Sequence, residues 1–246
     1  MNWFVYCANN PLNLFDSSGL QPTTCDAARM AAHIYGEHDL SRAGLNDRKV
    51  GDGWRLIDVW GSNGLKIGIY VRGDEYSSYK GKKEYAFVNR GTSEWFTPDG
   101  KASDELKNNL LQIVGKSPNM DASIEAAKFF TNGEWGNYEI TFIGHSKGGA
   151  EAIGNAVATN KNAITFNPAF PNLWLAGLYQ QEKDYSANMT HFIVKGEILN
   201  DKFGAPGIGE AKYLDTQVPI EPWTTRAWEQ RSENHSMESV LSAMGC

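Results

Sequence analysis

Apolar positions recur along this chain in two rhythms. Between Asp26 and Tyr35, Ala27, Ala28, Met30, Ala31, Ala32 and Ile34 repeat at helical spacing and predict a helix that packs through small residues. Arg55 to Trp60 alternates apolar and polar positions, as a half-buried strand does. Leu65 to Val71 and Glu84 to Val88 predict further strands, separated by turns containing Gly and Ser. Asp121 to Phe130 returns to the helical rhythm through Ile124, Ala126, Ala127, Phe129 and Phe130, and Asn132-Gly133 ends it. Strand 138–143 comes next, then a helix of small residues, then strands at Ala163 to Phe166 and Thr190 to Lys195. A helix from Met237 to Met244 closes the series. Strands alternating with helices predict an α/β fold, a mainly parallel central sheet flanked by helices in a single domain.

Composition narrows the function. The 246 residues suffice for one domain with a large core. With 23 basic against 29 acidic side chains the net charge is −6, so no global basic field draws in phosphate backbones and a nucleic-acid partner is disfavoured. Lys80, Lys82 and Lys83, flanked by Glu75 and Glu84, read as a solvated hairpin tip. Cys7, Cys25 and Cys246 lie near the termini without metal-ligand spacing, and an odd number cannot pair completely, so they indicate no compartment. The chain has no run of about 18 apolar residues, so no membrane span is expected. Its first residues lack a basic segment followed by an apolar stretch, so any export is expected to bypass the ordinary secretory signal.

The candidate chemistry starts at the strand Ile140-Thr141-Phe142-Ile143, which runs into Gly144-His145-Ser146-Lys147-Gly148. A strand that ends in Gly-x-Ser-x-Gly and turns at once into a helix is the nucleophile elbow of α/β-hydrolases. The cramped turn demands residues without side chains at 144 and 148, and Gly149 lets the following helix approach closely. Ser146 is the expected nucleophile; its bland alternative is a serine that merely caps a helix. Acyl transfer also needs two N–H donors for the developing oxyanion. Lys147, just after the serine, and Thr92, in Asn89-Arg90-Gly91-Thr92 after strand Tyr85 to Val88, are the candidates.

The general base follows from chain order. His33 and His38 precede the serine, His145 is part of the elbow, and His191 opens a strand. A serine, acid, histidine order leaves His235, read as lying at the start of the last helix. For the acid, Glu197 stands just past the strand Phe192 to Lys195, with Asp201 as the alternative. Trp174 and Leu175, within an apolar stretch from Phe170 to Tyr179, and Trp95 and Phe96 near the oxyanion loop, are candidates for a substrate wall or lid; core packing is the competing reading. The chemistry so assembled needs no metal and no cofactor.

At the N-terminus, Asn9, Asn10, Pro11, Asn13 and the turn Asp16 to Gly19 set residues 1–20 apart from 21–246. Pro11, Asp16, Gly19 and Leu20 resemble the end of an Rhs/YD-repeat core, with Ser17 where that pattern has proline. Residues 21–246 resemble the class 3 lipase branch of the α/β-hydrolases, in its phospholipase-type effector form. That resemblance rests on Arg90-Gly91-Thr92, the elbow, Ile164 to Phe166 with Asn167-Pro168, Lys195-Gly196-Glu197 and His235. The family commonly has an aromatic residue where this chain has Asn89, and Asp where it has Glu197. The resemblance implies a toxin domain that hydrolyses membrane phospholipids after export by a dedicated system such as type VI secretion. It would act at the envelope of a target cell, with an immunity protein, an Rhs shell and secretion-machinery proteins as partners. A serine hydrolase of a soluble ester, thioester or peptide, and a non-catalytic binding module on the same scaffold, remain the other readings.

Overall fold

Among the described residues, eight strands form one sheet in which spatial order follows chain order. The computed structural model describes residues 21–36, 48–76, 78, 81–92 and 118–246. Residues 1–20, with the proposed Rhs-like boundary, lie outside the described residues, as do Trp95 and Phe96. β1 (Lys49–Gly51), β2 (Trp54–Trp60), β3 (Ile67–Arg72) and β4 (Glu84–Asn89) pair antiparallel. From β4 onward every pairing is parallel, through β5 (Glu139–His145), β6 (Asn162–Phe166), β7 (Met189–Val194) and β8 (Glu210–Leu214). Among the described residues the α-helices are α1 (Thr24–His33), α2 (Pro118–Asn132), α3 (Lys147–Thr159), α4 (Tyr179–Asp184), α5 (Asn200–Phe203), α6 (Ala227–His235) and α7 (Met237–Met244). None of those described is long and apolar enough to cross a membrane.

The alternation of side chains along each strand makes two cores. Ile67, Ile69 and Val71 of β3, Tyr85 and Phe87 of β4, and Ile140 and Phe142 of β5 face α2 and α3, where they meet Ile124, Ala127, Phe130, Ala152, Ile153 and Ala156. Tyr70, Ala86, Val88, Ile143, Phe166 and Val194 point the other way. There α1 supplies Ala27, Ala28, Met30, Ala31 and Ile34, and α7 supplies Met237 and Val240. Each large side chain buried in these layers contributes roughly 1.5–3 kcal/mol relative to exposure. The result is a sheet sandwiched between helices, as the pattern predicts.

Register places the loops that matter. Asn89 pairs with Gly144, and His145 with Phe166, so β4, β5 and β6 finish level with one another. The segments 90–92, 146–149 and 167–170 therefore leave the same edge of the sheet side by side. In α/β sheets this carboxyl edge is where ligands bind.

Cys25 of α1 and Cys246 form a disulfide with Cα atoms 5.5 Å apart, which ties α7 to α1 and is compatible with an odd number that cannot pair completely. Two findings differ from the sequence expectations. His235 ends α6 instead of opening the last helix; Ser236 caps α7, accepting from the Ser239 N–H. β1, β8, α4, α5 and α6 were not expected. β8 is a half-exposed strand and α6 is strongly polar, so neither carries a clear apolar rhythm.

Candidate active site

Ser146 stands between β5 and α3 with φ 58° and ψ −127°, a backbone conformation costly for any residue but glycine. The neighbouring glycines explain how the turn closes. A Cβ on Gly144 would lie 2.0 Å from the Gly148 carbonyl oxygen, and one on Gly148 would lie 2.3 Å from that of Asn89. The Ser146 N–H donates to Phe166, and its carbonyl accepts from Gly149 and Ala169. The elbow is thus held from both sides, and the Ser146 side chain is buried.

His235 reaches this corner from α6. Its ring centroid lies 4.8 Å from that of His145, the residue before Ser146. Its Nδ1–H donates to Glu197 Oε2 in a short contact between two fully buried groups. In the neutral ring that tautomer puts the lone pair on Nε2. Glu197 is fixed in turn: Oε2 accepts from the Leu199 N–H at 2.9 Å, and Oε1 from the Asn200 backbone and from Asn200 Nδ2 at 2.7 Å. Burial pushes the Glu197 carboxyl up, but the charge and hydrogen bond of His235 and the two backbone donors outweigh it and hold it below the ordinary value. The structure does not bring Asp201, the alternative acid, to His235; its carboxylate pairs with Arg231 at the surface.

A second chain of hydrogen bonds fixes the backbone of the histidine. His145 Nε2–H donates to the His235 carbonyl at 2.7 Å, which leaves Nδ1 to accept from the Tyr35 hydroxyl at 2.7 Å. Burial first, and then the neighbouring His235, lower His145 to about 3, so it stays neutral as a spacer. Asn167, with φ 40°, adds two donations to the carbonyls of Asn234 and His235 and accepts from the Val194 N–H. The sequence alone assigns Tyr35, His145 and Asn167 none of these roles: His145 belongs to the elbow motif, and Asn167 to the stretch Ile164 to Pro168 that carries the lipase resemblance.

The oxyanion candidates converge on the same spot. A Cβ on Gly91 would lie 3.1 Å from Ser146 Cβ and 2.7 Å from the His145 carbonyl, so Arg90-Gly91-Thr92 passes directly against the elbow. Thr92 is buried there, and Lys147 follows the serine as the first residue of α3. Beside them the stretch after β6 passes through Ala169, whose N–H donates to the Ser146 carbonyl. It anchors Leu173 and Leu178 in the core and turns Phe170, Trp174 and Leu175 outward, with Trp174 69% exposed. Trp174 and Leu175 are therefore not core residues.

A family model described as a Tle-like phospholipase domain matches residues 26–202. The chain belongs to that family. Membership in the Tle-like phospholipase family supports a lipase or phospholipase activity, a hydrolase acting on acyl esters. Among solved structures, the native Rhizomucor miehei lipase propeptide complex is similar at 16% identity and a TM-score of 0.48, covering 82% of this chain and 70% of that one. A deletion mutant of the same complex gives 15% identity, the same TM-score, and coverage of 82% and 69%. No curated protein matches the chain. The matched span takes in the elbow, Arg90-Gly91-Thr92 and Glu197 and stops before His235.

Proposed function

We propose that this phospholipase-family chain is a serine esterase that cleaves acyl esters of membrane phospholipids. The observation that carries the reading is the buried Glu197–His235 hydrogen bond, with the His235 ring 4.8 Å from that of His145, the residue before the strained turn at Ser146. Ser146 Oγ bonds to the ester carbonyl carbon while its proton passes to His235 Nε2. The Lys147 and Thr92 N–H groups receive the oxyanion. Collapse breaks the bond to the leaving alcohol, which takes the proton from His235, and water then attacks the acyl-enzyme by the same route. Glu197 keeps the ring in its tautomer and steadies the imidazolium. Each oxyanion donor is worth on the order of 3 kcal/mol of barrier.

The lipid part of the reading is supported by the outward Phe170, one residue past the Ala169 that bonds to Ser146, and by the exposed Trp174 and Leu175 further along the same stretch, apolar side chains suited to an ester presented at an interface. The biological setting we propose is an exported antibacterial effector, carried on an Rhs-type core, restrained by an immunity protein and acting at the envelope of a target cell. The Cys25–Cys246 pair supports an oxidising compartment for its action. The test is incubation of the purified chain with mixed phospholipid vesicles, reading fatty acid and lysolipid by mass spectrometry. Release of both, lost in Ser146→Ala, fits the proposal. Turnover confined to soluble esters or thioesters would overturn the lipid assignment, and none on any ester would overturn the enzyme.

A further inference from the structure

Behind the oxyanion candidates, between β4, α2 and α3, lies a buried polar cluster that the reaction itself does not use. Asn89 ends β4, Ser123 lies on α2, and Glu151 and Asn155 lie one turn apart on α3; all four are buried. Asn89 Nδ2 donates to Ser123 Oγ at 2.8 Å and to Glu151 Oε2 at 3.0 Å. Asn155 Nδ2 donates to Asn89 Oδ1 at 3.0 Å and to Ser123 Oγ at 2.9 Å, and the Ser123 hydroxyl donates to Asn155 Oδ1 at 3.1 Å. Both side-chain amides thus spend both hydrogens inside the cluster, which fixes their orientation. Glu151 Oε1 faces Lys147 Nζ at 3.8 Å, and that ammonium donates to the Gly64 carbonyl at 3.1 Å.

Stability alone gives little reason for such a cluster. Buried ionic and polar groups rarely improve on well-packed apolar ones, although a hydrogen-bonded set holds its members rigidly; Glu151 Oε1 makes no hydrogen bond and faces the Lys147 ammonium at 3.8 Å. Burial pushes the Glu151 carboxyl up to about 7, with Lys147, Asn89 and Arg90 pulling the other way. What the cluster does is join two segments. Asn89 lies three residues before Thr92, and Glu151 one helical turn after Lys147, so Glu151 touches the anchor of each oxyanion donor. The backbones meet there as well, since the Gly148 Cα abuts the Asn89 carbonyl.

Resting on the Ser146 esterase reading, we infer that Glu151 is a positioning residue for the oxyanion hole, aligning the Thr92 and Lys147 amides through Asn89 and Lys147. The variants Glu151→Gln, which keeps an oxygen for Asn89 but gives up the ion pair, and Glu151→Leu, which gives up both, test it. Rates on a soluble short-chain ester are counted per site titrated with a fluorophosphonate. Affinity for a trifluoromethyl ketone, whose adduct carries the oxyanion, is measured in parallel. The expected result is a kcat lower by about 10-fold in Glu151→Gln and about 100-fold in Glu151→Leu, with KM little changed. The ketone should weaken in proportion, while melting temperature need not track either. Variants with wild-type kcat and ketone affinity per titrated site would overturn this inference alone. If Glu151→Leu does not fold, Glu151→Gln decides. A wild type that neither hydrolyses the ester nor binds the ketone overturns the parent reading and this one together.

Discussion

A methyl group on Gly91 would stand 3.1 Å from the Cβ of Ser146, and 2.3 Å from the Tyr35 hydroxyl. The Arg90-Gly91-Thr92 loop and the elbow are therefore packed with no room for a side chain between them. Gly91→Ala must push the loop away from the serine, since the His145 carbonyl at 2.7 Å belongs to backbone and cannot swing aside. The expected loss in kcat is about 10²- to 10³-fold. Ester turnover per folded molecule, with the folded fraction from circular dichroism, checks it.

Two carboxylates near α5 separate by their partners. Glu197→Gln should lower kcat by about two to four orders of magnitude, because the ring of His235 loses its charged orienting partner. Asp201→Asn removes only a surface pair with Arg231 and should leave kcat within about threefold. Equal losses in the two variants would contradict the assignment of the acid.

Trp174 bears on the interface. If it meets lipid, Trp174→Ser should lower the rate on phospholipid vesicles by about 10-fold or more and leave the rate on a dissolved short-chain ester nearly unchanged. Parallel assays on the two substrates check this, and equal losses on both would remove the interfacial role.

The Cys25–Cys246 bond closes a separation of 221 residues. Chain-entropy reasoning puts its worth at up to about 5 kcal/mol, so reduction or Cys25→Ser should lower the melting temperature clearly. Differential scanning fluorimetry with and without a reductant measures it.

Stability should also depend on pH with two opposing signs. His145, lowered from 6.5 to about 3, contributes stability that is present above pH 6.5 and lost as pH falls towards 3. Glu151, raised from 4.5 to about 7, contributes stability that is fully present below pH 4.5 and lost as pH rises through 7. Relative to wild type, Glu151→Gln should therefore gain stability as pH rises from about 4.5 to 8, by on the order of 3 kcal/mol. Urea unfolding across that range reads the difference.

The sheet, its carboxyl edge and the elbow were legible because each is written locally. Alternation marks the strands, and Gly144 and Gly148 sit where the turn excludes side chains. His235 and Glu197 followed from chain order and a strand end, and the structure brings their side chains together. The interior polar cluster was not legible. Glu151 and Asn155 stand in a helix read only for its small residues, and Asn89 gained meaning when Ser123 of α2, 34 positions away, proved to be its partner. The disulfide was hidden for the same reason, since its two cysteines meet only after α1 and α7 pack. Local rhythm predicts elements; contacts across them depend on the tertiary arrangement.

The central claim is that Ser146 is a nucleophile activated by His235. Reaction with a fluorophosphonate probe, followed by peptide mass mapping, tests it most directly. One adduct on Ser146 is expected, with labelling slowed by orders of magnitude in His235→Ala. A folded wild-type chain that takes up no label, or that carries it on another residue, would contradict the account.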